Sequence, residues 1–188
     1  MNIIRSCRDL IDKALHYIII CFRNVPASVN VGMLLVLCVG TVVLFFWRGK
    51  KGLRWSAGLL LVEYLVLLII LSVLARKVMS GRAYNFAPFW SYRAILDGHG
   101  HLLTQAVMNV VAFVPVGFLL GFLGRGKWWK VALFAAGFSL IIETLQFITM
   151  RGFAGFDDVF HNVVGAMIGY GVYAGVKWVV EKVRSCGG

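Results

Sequence analysis

The sequence predicts an all-α integral membrane protein: a bundle of about five transmembrane helices, preceded by an N-terminal amphipathic helix in the membrane interface. Three observations lead there. Of 188 residues, 60% are hydrophobic and only 14% charged, with a mean hydropathy of +0.84; a water-soluble domain needs more polar surface than such a chain can supply. The apolar residues fall in runs of about 20, the length that crosses a hydrocarbon core as a helix. Lys and Arg crowd between the runs, so the formal net charge of +11 reads as contact with lipid head groups and control of topology. A nucleic-acid partner is not expected.

Taken in order, residues 1–28 mix Arg5, Arg8, Asp9, Asp12, Lys13 and Arg23 with Leu10, Ile11, Leu15, Ile18, Ile19 and Phe22. Their apolar stretch is too short to span, and the mixture fits a helix lying in the interface; a loosely ordered tail is the alternative. Residues 29–54 add a first span, 29–47, closed by a basic loop containing Arg48, Lys50, Lys51 and Arg54. The main transmembrane unit covers 55–181. Within it the second span runs 55–75 and carries Glu63, the third runs 105–123, the fourth 130–150, and the fifth from 161 to about 180. Residues 182–188 are left as a tail. Basic residues are densest in 48–54, 124–130 and the tail, which puts those segments in the cytoplasm and the loops 76–104 and 151–160 outside. Cys7, Cys21, Cys38 and Cys186 lie far apart and suggest neither a disulfide framework nor a metal site.

The uncommon residues are polar ones, and this topology collects them at one level. Asn109 sits near the outer end of the third span, Glu143 and Gln146 near that of the fourth, and His161 and Asn162 at the start of the fifth. The outer loops add Asn85, Arg151, Asp157 and Asp158. At 100° per residue, Ser139, Glu143, Gln146 and Met150 share one face of the fourth helix. That face should turn into the bundle, because polar groups facing lipid lack partners. An ionisable residue kept in a membrane helix marks a candidate functional site. Asn109, Asn162 and Arg151 are the expected partners of Glu143.

The candidate ligand-binding set is therefore Asn85, Asn109, Glu143, Gln146, Arg151, Asp157, Asp158 and Asn162, with Glu143 and Asp158 the candidates for any catalysis. Structural roles compete. The asparagines can serve as bonds between helices, worth ~0.6 kcal/mol each, and Asp157 or Asp158 can be the N-cap of the fifth helix. Gly117 with Gly121, Gly165 with Gly169, and Gly171 with Gly175 are spaced for close helix packing, and Pro115 should kink the third helix. His99 and His101 have no third ligand nearby and read as loop residues. No metal or cofactor is expected.

Four blocks together resemble the VanZ-like family of bacterial membrane proteins. They are Asn85-Phe86-Ala87-Pro88-Phe89; Asn109 with Phe113-Val114-Pro115-Val116-Gly117; Ser139, Glu143 and Gln146; and Arg151 followed by Asp157-Asp158-Val159 and Asn162-Val163-Val164-Gly165. The resemblance covers about 55–180. It implies a multi-pass protein of the bacterial cytoplasmic membrane that acts in the cell envelope, as an accessory of glycopeptide resistance lowering susceptibility to teicoplanin.

Three functions are compatible with these residues. The first is binding: membrane lipids surround the helices, and the polar set holds the head of a lipid-linked precursor or a lipoglycopeptide, with Arg151 on a phosphate. The second is a membrane enzyme acting on a lipid phosphate or lipid-linked peptidoglycan precursor, with Glu143 as general base and the aspartates on a divalent cation. The third, a small transporter, is disfavoured because the inner half offers few polar residues beyond Glu63 to line a path.

Overall fold

The computed structural model describes residues 50–124 and 127–186. Helix α1 spans Lys50–Ile69 and its last turn widens into a π-helix, Ile70–Leu74. Strand β1 (Ala83–Asn85), the short helix α2 (Trp90–Leu96), α3 (His101–Gly124), α4 (Trp128–Thr149), strand β2 (Phe153–Gly155) and α5 (Phe156–Cys186) follow. Among the described residues, 4 helices are long and apolar enough to cross a membrane: Gly52–Leu74, His101–Gly124, Trp128–Thr149 and Phe156–Ser185. They bury between 17% and 33% of their most apolar windows inside the protein. Leu133, Ile148 and Trp178 are among the large side chains left exposed, a surface that water would penalise and lipid accepts. The protein is thus an all-α integral membrane protein. The expected interfacial helix at 1–28 and the span at 29–47 lie outside the described residues.

These four helices are the second to fifth predicted spans, and the last one differs from expectation at its start. It begins at Phe156, not His161, because Asp157 and Asp158 belong to its first turn, where negative charge meets the positive end of the helix dipole. Neither is the N-cap that the sequence suggests. Helix α4 ends one turn after Gln146: Met150 turns left-handed at φ 53° and Gly152 lies at φ 118°. Helix α3 continues through Pro115, and the Tyr64 hydroxyl donates to the Ala112 carbonyl at 2.9 Å, beside the disturbed ladder.

The tightest packing joins α3 and α5, which run parallel. A Cβ on Gly165 would collide with the Val110 carbonyl, one on Gly169 with that of Val114, and one on Gly117 with that of Ala166. Gly121 lies against the rings of Tyr173 and Tyr170. Two of the three glycine pairs read from the sequence therefore form the interface. The third does not: Gly171 and Gly175 meet nothing within 4 Å. The step from Gly169 to Gly171 turns the helix by about 200°, which carries this last pair onto the face of α5 opposite α3. Phe113, Val116, Ala135, Ile142 and Ala166 fill the centre of the bundle.

At one end of the bundle the connections are braced by backbone. Strands β1 and β2 pair in parallel with Ala83 opposite Phe153, Tyr84 opposite Ala154, and Asn85 opposite Gly155. The Met79 N–H donates to the Met150 carbonyl at 2.8 Å. The last carbonyls of a helix need donors, and α4 with its following loop supplies them to α1. Gln146 Nε2 donates to Ser72 at 3.0 Å, and Arg151 Nη1 to Leu74 at 2.7 Å and Arg76 at 3.2 Å. At the opposite end Arg54 Nη2 donates to the Leu123 carbonyl at 2.6 Å.

Candidate functional site

The braced end carries a polar cavity of about 300 Å³, lined from four sides. Helix α2 presents Trp90 and Ser91, α3 presents His101, Gln105 and Ala106, β2 presents Phe153 and Gly155, and α5 presents Asp157, Asp158 and His161. Each residue arrives there for a local reason. Gln105 and Asn109 are four apart on α3 and so share a face. Both reach Asp158 on the parallel neighbour: Asn109 Nδ2 donates at 2.7 Å, and Gln105 Nε2 at 3.0 Å to the other oxygen.

Asp157, one residue earlier, points the other way and holds α2. Its Oδ1 accepts from the Phe89 N–H at 2.6 Å, and its Oδ2 accepts from the Ser91 N–H at 2.9 Å and the Ser91 hydroxyl at 2.5 Å. It thus bonds the orphan donors at the start of a helix distant in sequence. Phe89 sits there at φ 60°, a conformation that bulky residues adopt only when held.

Glu143 is 7% exposed, and its Oε2 accepts from the Gly155 N–H at 2.8 Å. Its expected partners are otherwise engaged. Asn109 is on Asp158, Asn162 donates to the Ser139 hydroxyl at 2.7 Å, and Arg151 is on backbone carbonyls at the end of α1. The reason is geometric: β2 passes between the end of α4 and the start of α5, so its amide reaches the carboxylate first. Arg76, which the sequence does not single out, acts electrostatically on both Glu143 and Asp158.

The eight sequence candidates therefore divide. Asp157 and Asp158 line the cavity, Asn109 bonds to Asp158, and Glu143 holds the lining residue Gly155. Gln146, Arg151 and Asn162 brace helices around it. Asn85 makes a local turn, its Oδ1 accepting from the Ala87 N–H at 2.9 Å. Trp90, Ser91, Gln105 and His101 reach the cavity although the sequence does not mark them for it. The one signal for Gln105 is its place one turn before Asn109. As a cation pair the aspartates are poorly placed, since both oxygens of Asp157 are taken by α2. Among the described residues no three His, Cys, Asp or Glu side chains are placed so that they could hold one metal ion.

Two buried polar atoms on the wall lack partners: Trp90 Nε1 and His161 Nδ1. His161 is 5% exposed, and its other nitrogen, Nε2, shares a 2.8 Å hydrogen bond with the Tyr92 hydroxyl. The lining side chains therefore include an indole donor and an imidazole nitrogen, both enclosed and unbonded, beside the Asp158 carboxylate, a set that suits a ligand rich in polar groups once the rings turn toward it.

No curated protein and no solved structure matches the chain. The family described as VanZ/LLP1 does, over residues 33–179, a range that begins before the described residues and ends within α5. It takes in every residue of the cavity wall and its braces. The chain belongs to the VanZ/LLP1 family.

Proposed function

We propose that this multi-pass protein works in the bacterial cytoplasmic membrane with its braced end outward, binding the polar head of a lipid-linked cell-wall precursor or a lipoglycopeptide and so lowering susceptibility to teicoplanin. One observation carries the reading: Trp90 Nε1 and His161 Nδ1 are buried without partners on the wall that also presents Asp158. Leaving such a group unbonded costs ~1–3 kcal/mol, and a ligand that bonds both recovers that energy. The outward orientation is supported by the higher density of Lys and Arg in the loops of the other end.

The geometry narrows the part of the ligand that enters. Arg151 spends Nη1 on the Leu74 and Arg76 carbonyls, and the cavity wall contains neither Lys nor Arg. A phosphate is poorly matched to it. Sugar hydroxyls, peptide amides or an amine fit better, donating to Asp158 and bonding the free nitrogens. The test is teicoplanin susceptibility of cells expressing wild-type or Asp158→Asn protein at equal membrane level. Asp158→Asn is expected to return susceptibility to that of cells without the protein. Full retention of the wild-type effect contradicts the reading.

A further inference from the structure

A second cavity, about 450 Å³ and apolar, lies between α2 and α3, walled by Tyr92, Ile95, Leu103, Val107, Val110 and Val111 among others. It is not separate from the polar one. Ala106 and His161 line both, and the partition is the His161 ring tied through Nε2 to the Tyr92 hydroxyl. From Leu103 to Val111 the groove follows α3 for about 12 Å. Its edge is open: Leu103 is 46% and Val111 53% exposed, on helices whose surroundings are lipid.

Any hydrocarbon can cover an apolar groove in a membrane, but bulk lipid leaves the His161 Nδ1 without a bond. A molecule with its head in the polar cavity and its chain in the groove uses the shared wall and fills both spaces. We propose that the groove is the chain-binding half of the site: one amphiphile enters sideways from the bilayer and lays a single hydrocarbon chain along Leu103, Val107 and Val111. Its polar head, bearing hydroxyl or amine donors, passes the Tyr92–His161 pair to Asp158. This rests on the reading of the polar cavity given above and extends it to the ligand's class and route of entry.

The test uses the full chain in lipid nanodiscs and a long-chain alkylamine carrying a diazirine near the end of its chain. Irradiation is expected to label α2 and the 103–111 stretch of α3 above the other lipid-facing helices. Leu103→Trp and Val111→Trp fill the groove from its exposed edge, where the fold tolerates them. The indole rings occupy the chain's place, so labelling of α2 and the 103–111 stretch is expected to fall to the level of the other lipid-facing helices, and Asp158→Asn lowers it as well. Labelling spread evenly over all lipid-facing helices and unchanged by both tryptophans overturns the proposal. Loss in Asp158→Asn alone also overturns it while leaving the polar cavity as a head-group site. Loss in the tryptophan variants alone upholds the groove and contradicts Asp158 as the head-group contact.

Discussion

The Glu143 carboxylate and the Gly155 amide are joined by a 2.8 Å hydrogen bond that fastens the end of β2 to α4. Gly155 is the last residue before α5, so this bond sets where the first turn of α5, with Asp157 and Asp158, stands relative to the bundle. It converts the one acid of α4 into a positioning group for the cavity wall.

Replacing Glu143 separates that role from its charge. Glu143→Ala leaves the buried Gly155 N–H unbonded, an expected loss of ~1–3 kcal/mol. Glu143→Gln keeps an acceptor oxygen and should lose less. Unfolding of the detergent-solubilised protein measures both, and equal losses argue against the bond as the reason Glu143 is there.

The adjacent aspartates should behave differently. Asp157 holds three donors of the α2 start, so Asp157→Ala is expected to destabilise by roughly 2 kcal/mol or more and to speed amide exchange across 89–96. Asp158→Asn keeps a side chain of the same shape between Gln105 and Asn109 and is expected to leave exchange in α2 unchanged while abolishing the ligand phenotype.

Glycine substitutions test the packing. Gly165→Ala and Gly169→Ala place a methyl against backbone carbonyls that cannot turn aside, with expected losses of ~1–3 kcal/mol. Gly171→Ala and Gly175→Ala meet open space and should be neutral or slightly stabilising by removing helical glycine. Denaturation of the four variants in one detergent gives the comparison.

Gly152 carries a separate constraint. Its φ of 118° disfavours any side chain, and a Cβ there would lie 2.7 Å from Arg76 Nη1. Gly152→Ala is expected to cost ~1–3 kcal/mol through backbone strain and to displace Arg76 from the neighbourhood of Glu143 and Asp158. A wild-type unfolding midpoint for this variant would contradict the conformation of the α4–α5 connection.

The spans are legible in the sequence because each is an apolar run of membrane length, and the Gly117, Gly165 and Gly169 contacts because spacing alone puts small residues on one face. Glu143, Gln146 and Ser139 are legible as a buried face for the same reason. Pairing between elements is not. Nothing local says that Asn109 meets Asp158 and not Glu143, since that depends on α3 and α5 lying parallel and side by side. Strands of three residues, Ala83–Asn85 and Phe153–Gly155, carry no readable alternation, and α2 is too short to show helical period. Helix α2 and strand β2 bring Trp90, Ser91 and Gly155 to the cavity, which is why that part of the wall escapes a reading of the sequence. Arg76 is hidden by a competing explanation, the basic flank that any membrane span can have.

The central claim is that Trp90, Asp158 and His161 bound one cavity that takes a ligand's polar head. The most direct measurement is a crystal structure of the protein from a lipidic mesophase containing teicoplanin. Density for a polar group bonded to Trp90 Nε1, His161 Nδ1 and the Asp158 carboxylate is the expected result. A ligand bound elsewhere, with this cavity holding water alone, would contradict the account.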